Sequence, residues 1–135
     1  MKAQSNKTAC ADVIVIEDDE AVRDSLQVLL QAAGLSSVVY SSAEEFLASP
    51  ETPKYACALL DLHLPGLDGF EVLRILSKRQ PDCAAIVITG QPDAFTRDRA
   101  LEAGAVALLE KPLRERVLLD TIQKALTEPG KSLAC

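Results

Sequence analysis

Five short apolar stretches punctuate the chain, and each is followed by residues at helical spacing. Asp12 to Glu17 is rich in β-branched residues and reads as a strand. Ala56 to Asp61 is an unbroken apolar run that reaches a carboxylate and then breaks into a loop marked by Pro65 and Gly66. A run that does not alternate is expected of a parallel strand buried on both faces. Ala84 to Thr89 and Ala105 to Leu109 repeat the pattern, and Leu35 to Tyr40 is a weaker version expected at the sheet edge. Between them, Glu20 to Ala33 places Val22, Leu26, Leu29, Leu30 and Ala33 on one helical face, closed by Gly34. Ser42 and Glu45 form a capping box that opens a short helix through Phe46 and Leu47, and Pro50 and Pro53 mark the loop after it. Gly69 to Lys78 turns Phe70, Val72, Leu73 and Leu76 inward. Asp93 to Ala103 is a more polar helix ended by Gly104. The last helix, Arg114 to Thr127, turns Leu118, Ile122, Ala125 and Leu126 inward and stops at Pro129 and Gly130.

Strands that alternate with helices imply a parallel sheet covered on both sides, and right-handed crossovers make it doubly wound. The expected fold is α/β, a doubly wound five-stranded parallel sheet flanked by five helices. One domain, 12–127, is expected between an N-terminal tail at 1–11 and a C-terminal tail at 128–135, both flexible. The first helix also carries a second stripe, Ala21, Ser25, Val28 and Ala32. It suits either a wide core face or a docking surface for a partner helix, and the pattern alone leaves both open.

Composition narrows the function classes. With 14 Lys and Arg against 20 Asp and Glu, the chain has no basic stripe to displace phosphate counterions, which argues against direct nucleic-acid binding. No apolar run reaches membrane-spanning length, and the first eleven residues lack the apolar core of a secretory signal. A soluble cytoplasmic protein is expected. Cys10, Cys57, Cys83 and Cys135 show no paired spacing, and His63 is the one histidine, which argues against a zinc site. Cys57 reads as a core residue, Cys10 and Cys135 as tail residues, and all four as reduced thiols.

The chemistry gathers at the strand ends. Asp18 and Asp19, Asp61, Thr89 and Lys111 follow four different strands, and in a parallel sheet these ends share one edge. If the first and third strands are neighbours, three carboxylates crowd together and raise one another's pKa unless a cation intervenes. A hard divalent ion such as Mg²⁺ suits such oxygens. With the Lys111 cation, the Thr89 hydroxyl and room beside Gly90, the set fits phosphoryl transfer to Asp61. Taken singly, an acidic strand end is commonly a helix N-cap and a lysine beside proline a surface charge. Their agreement at four strand ends is the signal.

Four motifs carry a family resemblance: Ile16-Glu17-Asp18-Asp19-Glu20, Leu60-Asp61-Leu62-His63-Leu64-Pro65-Gly66-Leu67-Asp68-Gly69, Val87-Ile88-Thr89-Gly90 and Glu110-Lys111-Pro112-Leu113. In order and spacing the chain, over about Asp12 to Thr127, resembles the receiver domain of bacterial two-component response regulators, the CheY-like or flavodoxin-like doubly wound fold. The resemblance implies strand order 2-1-3-4-5. It implies that Asp61 accepts phosphate from a sensor histidine kinase or histidine phosphotransfer protein. It further implies Mg²⁺ held by the carboxylates of Asp19 and Asp61, by the backbone carbonyl of His63, and through water by Asp18. Thr89 and Lys111 would contact the phosphoryl group, and Lys111-Pro112 would be a cis peptide bond. Such a domain is a phosphorylation-dependent switch with slow autodephosphorylation, not an enzyme with a separate substrate.

Three positions depart from the common pattern or add to it. Leu108 stands where many relatives carry an aromatic residue that rotates inward, so activation is expected to reposition the loop after Thr89 instead. His63 and Gln91 overhang the phosphorylation site and are read either as gates for attacking water or as exposed loop residues.

Other readings fit less well. A haloacid-dehalogenase-type phosphatase needs a second Asp where His63 stands. A flavin or dinucleotide binder would not place Glu17 to Glu20 at its phosphate loop, and no Gly-rich phosphate motif is present. The remaining alternative is a receiver-like adaptor that works without phosphorylation. Chain length leaves no room for a DNA-binding domain, so a stand-alone receiver or a fragment of a longer regulator is expected. The helix 4–strand 5–helix 5 face, with Arg97, Asp98, Glu102, Asp120 and Lys124, suits a homodimer or an unidentified downstream target.

Overall fold

The computed structural model describes residues 10–49, 54–64 and 66–127. The elements run β1 (Cys10–Ile16), α1 (Glu20–Ala32), β2 (Ser37–Tyr40), α2 (Ala43–Leu47), β3 (Lys54–Asp61), α3 (Gly69–Arg79), β4 (Ala84–Thr89), α4 (Ala94–Glu102), β5 (Ala105–Glu110) and α5 (Glu115–Thr127). All five strands are parallel, in the order β2-β1-β3-β4-β5. The doubly wound fold expected from the alternation is the one observed. Among the described residues, no helix is long and apolar enough to cross a membrane.

The strands divide their side chains between two cores by strict alternation. Ile14, Ile16, Ala58, Leu60, Ala85 and Val87 face α2, α3 and α4, where Phe46, Val72, Leu73, Leu76 and Ala100 meet them. Val13, Val15, Cys57, Leu59, Ala84, Ile86 and Ile88 face α1 and α5, against Leu26, Leu30, Leu118, Ile122 and Ala125. Each large apolar side chain removed from water contributes roughly 1.5–3 kcal/mol, so the two cores dominate the energy that holds the strand ends in place. β1, β3 and β4 lie inside the sheet and are buried on both faces, whereas β2 and β5 are its edges.

Local chemistry sets the helix ends as expected, with small shifts. Asp19, Ser42, Asp68 and Asp93 are the N-caps of α1 to α4, each accepting a hydrogen bond from a backbone N–H of the first turn. The capping box at α2 is displaced by one residue, because Glu45 reaches the N–H and hydroxyl of Ser41 rather than the N–H of Ser42. Gly69 is required by close approach, since a Cβ there would collide with the backbone of Leu62 in the loop after β3.

Three expectations need correction or fall outside the described residues. The tail at 1–11 is too long, because β1 begins at Cys10; Cys10 and Ala11 pair in register with Lys54 and Tyr55. Cys10 is therefore a strand residue, and Cys57 and Cys83 are buried. The stripe of Ala21, Ser25, Val28 and Ala32 is exposed along its whole length, which rules out the wide core face. The segments 1–9 and 128–135 lie outside the described residues, as do Pro50, Pro53, Pro65, Pro129, Gly130 and Cys135.

Candidate phosphoacceptor site

The parallel register brings the C-terminal ends of β1, β3, β4 and β5 to one edge. Ile16 lies opposite Leu60, Asp61 opposite Ile88, and Thr89 opposite Glu110. Asp61, the last residue of β3, is only 2% exposed. Its Oδ2 accepts a hydrogen bond from Lys111 Nζ at 2.8 Å, and its Oδ1 accepts the His63 backbone N–H at 2.9 Å. A charge-assisted bond of this length, in a site mostly withdrawn from water, holds the carboxylate in one orientation. Lys111 is aimed by the turn after β5, where its own N–H donates to the Thr89 carbonyl at 2.9 Å and the Lys111-Pro112 peptide is cis.

Acidic residues complete the cluster, but not in the expected frame. Glu17, Asp18 and Asp61 each present a carboxylate oxygen within 4.8 Å of the others. Asp19 lies outside this group, because its Oδ1 caps α1 by accepting the Val22 N–H at 3.2 Å. Glu17, assigned no role from sequence, takes the inner place. It is 1% exposed, its Oε1 has no hydrogen-bond partner among the described residues, and that oxygen lies 3.7 Å from Lys111 Nζ. The cause is where β1 ends. Glu17 follows Ile16 directly and stays under the sheet edge, while Asp18 and Asp19 are already in the exposed turn to α1. The Arg23 guanidinium fixes that turn, donating to the Glu17 and Asp18 carbonyls, both at 3.1 Å. With four consecutive acids from Glu17 to Glu20, the sequence alone did not say which two turn inward.

The electrostatics follow from this crowding. Burial pushes the Glu17 carboxyl up to about 7, helped by the negative charges of Asp61 and Asp18; the Asp19 N–H and Lys111 oppose the shift without cancelling it. Burial would lower the Lys111 ammonium, but Asp61, Glu17 and Asp18 outweigh it, and the net direction is upward. The Lys111 ammonium faces the carboxylates of Asp61, Glu17 and Asp18. An orphaned buried oxygen amid hard oxygen donors fits a divalent cation.

On the other side of Asp61, Thr89 is fully buried at the end of β4. Its Oγ1 accepts the Gln91 N–H at 3.0 Å and lies 3.0 Å from His63 Nε2. Asp61, His63, Thr89 and Lys111 thus meet in one place. Gly90 faces open space beside Thr89.

Comparison with known proteins agrees with this geometry. The profile of the response regulator receiver domain matches residues 13–123. The chain is 39% identical over 121 residues to nodulation protein W of Bradyrhizobium diazoefficiens, and 34% identical over 121 residues to transcriptional regulatory protein FixJ of the same organism. Each alignment covers 90% of this chain but only 53% and 59% of those proteins, so the chain spans little more than half their length. A CheY-like receiver domain protein of Methanospirillum hungatei superposes with a TM-score of 0.79 at 31% identity, covering 86% of this chain and 93% of that one. A Burkholderia pseudomallei response regulator, solved with a phosphorylated aspartic acid and a calcium ion, superposes at 0.75 with 29% identity, covering 85% and 68%. Since the family profile spans most of the described fold, and the fold, strand order and acidic edge agree with it, the chain belongs to the response regulator receiver domain family, the phosphoacceptor module of two-component signalling.

Proposed function

We propose that Asp61 is the phosphoacceptor and that its donor is a histidine kinase or histidine phosphotransfer protein. The observation that carries this is the Lys111–Asp61 contact at 2.8 Å beside the Glu17 and Asp18 carboxylates. In the transfer, an Asp61 oxygen forms the new bond to phosphorus while the bond to the donor imidazole nitrogen breaks, and that nitrogen keeps the electron pair. Lys111 holds Asp61 ionised and oriented, then pairs with the arriving phosphoryl oxygens. Thr89 donates its hydroxyl proton to one of them, and the space beside Gly90 accommodates the group.

Glu17, Asp18 and Asp61, with the His63 backbone carbonyl, are the residues that would hold Mg²⁺, and Asp19 is withdrawn from that set. Bound there, the ion supplies positive charge against the phosphoryl oxygens. The aspartyl phosphate is lost slowly to water, which makes the domain a timed switch. Leu108 packs half-buried on the α3–α4 side, and activation works by repositioning the loop after Thr89.

The groove between α1 and α5, about 740 Å³, opens beside Lys111 and is lined by Val22, Leu26, Leu29, Pro112 and Leu113. With the exposed Ala21 and Ser25 it forms the docking face for a donor helix, small enough in side chains to let that helix approach Asp61. The α4–β5–α5 face, where Phe95, Leu101, Val106 and Val117 are exposed, is assigned to homodimer or output contacts. A cytoplasmic setting suits this role and the free thiol of Cys57.

Incubation with acetyl phosphate and Mg²⁺ tests the central claim. One phosphoryl group should appear by intact mass, and Asp61→Asn should abolish it. No gain in the unsubstituted chain would return the reading to the phosphorylation-independent adaptor.

A further inference from the structure

Thr89 poses a hydrogen-bonding problem of its own. The residue is fully buried, so its hydroxyl proton has no water to take it and needs an acceptor in the protein. Among the described residues its Oγ1 has two polar neighbours. One is the Gln91 backbone N–H at 3.0 Å, which can only donate. The other is His63 Nε2, also at 3.0 Å, which can do either.

The hydroxyl proton therefore goes to His63. The ring then accepts at Nε2 and carries its own proton on Nδ1, in a side chain that is exposed. This assigns the tautomer from the inventory of donors and acceptors around one buried hydroxyl.

From this arrangement we infer that His63 is a latch on Thr89, holding the hydroxyl proton that the phosphoryl group must capture for the domain to switch. This rests on the reading of Asp61 as phosphoacceptor. A hydroxyl has one proton, so the Thr89–His63 bond and a Thr89–phosphoryl bond exclude each other. Phosphorylation must break the first to make the second, and the resting state is favoured by the difference. His63 acts through Thr89 and is a positioning residue.

The proposal separates His63 from a general polar loop residue, because what matters is an acceptor at the Nε2 position. Glutamine can place its side-chain carbonyl there; alanine and leucine cannot. His63→Gln should keep the latch, while His63→Ala and His63→Leu should release it.

Two measurements test this on the full chain. The first titrates each variant with beryllofluoride, a phosphoryl mimic, in Mg²⁺. Release of one net hydrogen bond should tighten binding about threefold to tenfold in His63→Ala and His63→Leu. His63→Gln should stay within about twofold of the parent. Unchanged or weaker binding in His63→Ala overturns the latch. If the parent binds no beryllofluoride, the phosphoacceptor reading itself falls and the latch with it. The second is the ¹⁵N spectrum of the imidazole, unambiguous because His63 is the only histidine. With the ring neutral, Nε2 should be the unprotonated nitrogen at rest, and that preference should be lost in Thr89→Val and on adding beryllofluoride to the parent. A resting ring protonated on Nε2 overturns the proposal whatever the binding shows.

Discussion

β3 and β5 run parallel in one sheet, and each places one partner of the central ion pair, yet they are built to opposite ends. β3 is interior, and every residue from Tyr55 to Asp61 is buried, so Asp61 stands on a strand packed from both faces. β5 is an edge. Val106 bulges out of its register with β4, Leu108 is half-buried, and the Lys111 side chain just beyond it is 35% exposed. The difference teaches a division of labour. On the proposed function, the group that would form the covalent bond stands on a strand buried on both faces. The group that would let go of Asp61 and follow the phosphoryl oxygens sits, partly exposed, at the sheet's edge.

The comparison breaks most visibly at Lys111. Lys111→Ala leaves Asp61 without its cation in a buried setting, and phosphorylation by acetyl phosphate should fall about a hundredfold, the usual cost of one preorganised electrostatic contact. A rate within a few-fold of the parent would mean that β5 contributes little to the chemistry. Next comes the acidic turn. Asp18→Ala should weaken Mg²⁺ binding by about tenfold or more. Asp19→Ala should leave it unchanged and instead cost about 1 kcal/mol of stability through the lost N-cap. Titration calorimetry and urea unfolding read the two, and the reverse pattern would restore Asp19 to the metal site.

A smaller effect lies at Glu17. Its carboxyl binds a proton more tightly when folded, about 7 against 4.5, so the group adds stability that is fully present below about pH 4.5 and lost as pH rises through about 7. In the absence of metal, unfolding free energy should decline across that window by about 1–2 kcal/mol, since solvent at the mouth of the site screens part of the shift. Glu17→Gln should flatten the decline; an undiminished slope would place its origin elsewhere.

The helices and strands were legible because their signals are local. The Ser42 cap, an unbroken apolar run at β3 and helical spacing in α1, α3 and α5 each act over a few residues. The site was legible only in part. Asp61, Thr89 and Lys111 each follow an apolar strand directly, and so were placed where the structure has them. The acid pair was read one residue late, because in Glu17-Asp18-Asp19-Glu20 composition says nothing about which side chains point inward.

The sequence by itself determined the α/β alternation and placed Asp61, Thr89 and Lys111 at strand ends, since burial periodicity and capping are written in neighbouring residues. Strand order came from likeness to a family, not from the residues. Tertiary structure alone decided that β1 ends at Ile16, which turns Glu17 beneath the sheet edge and frees Asp19 to cap α1. It alone also placed His63 against Thr89, 26 residues away, because contacts across a sheet edge depend on register between strands that no local pattern encodes.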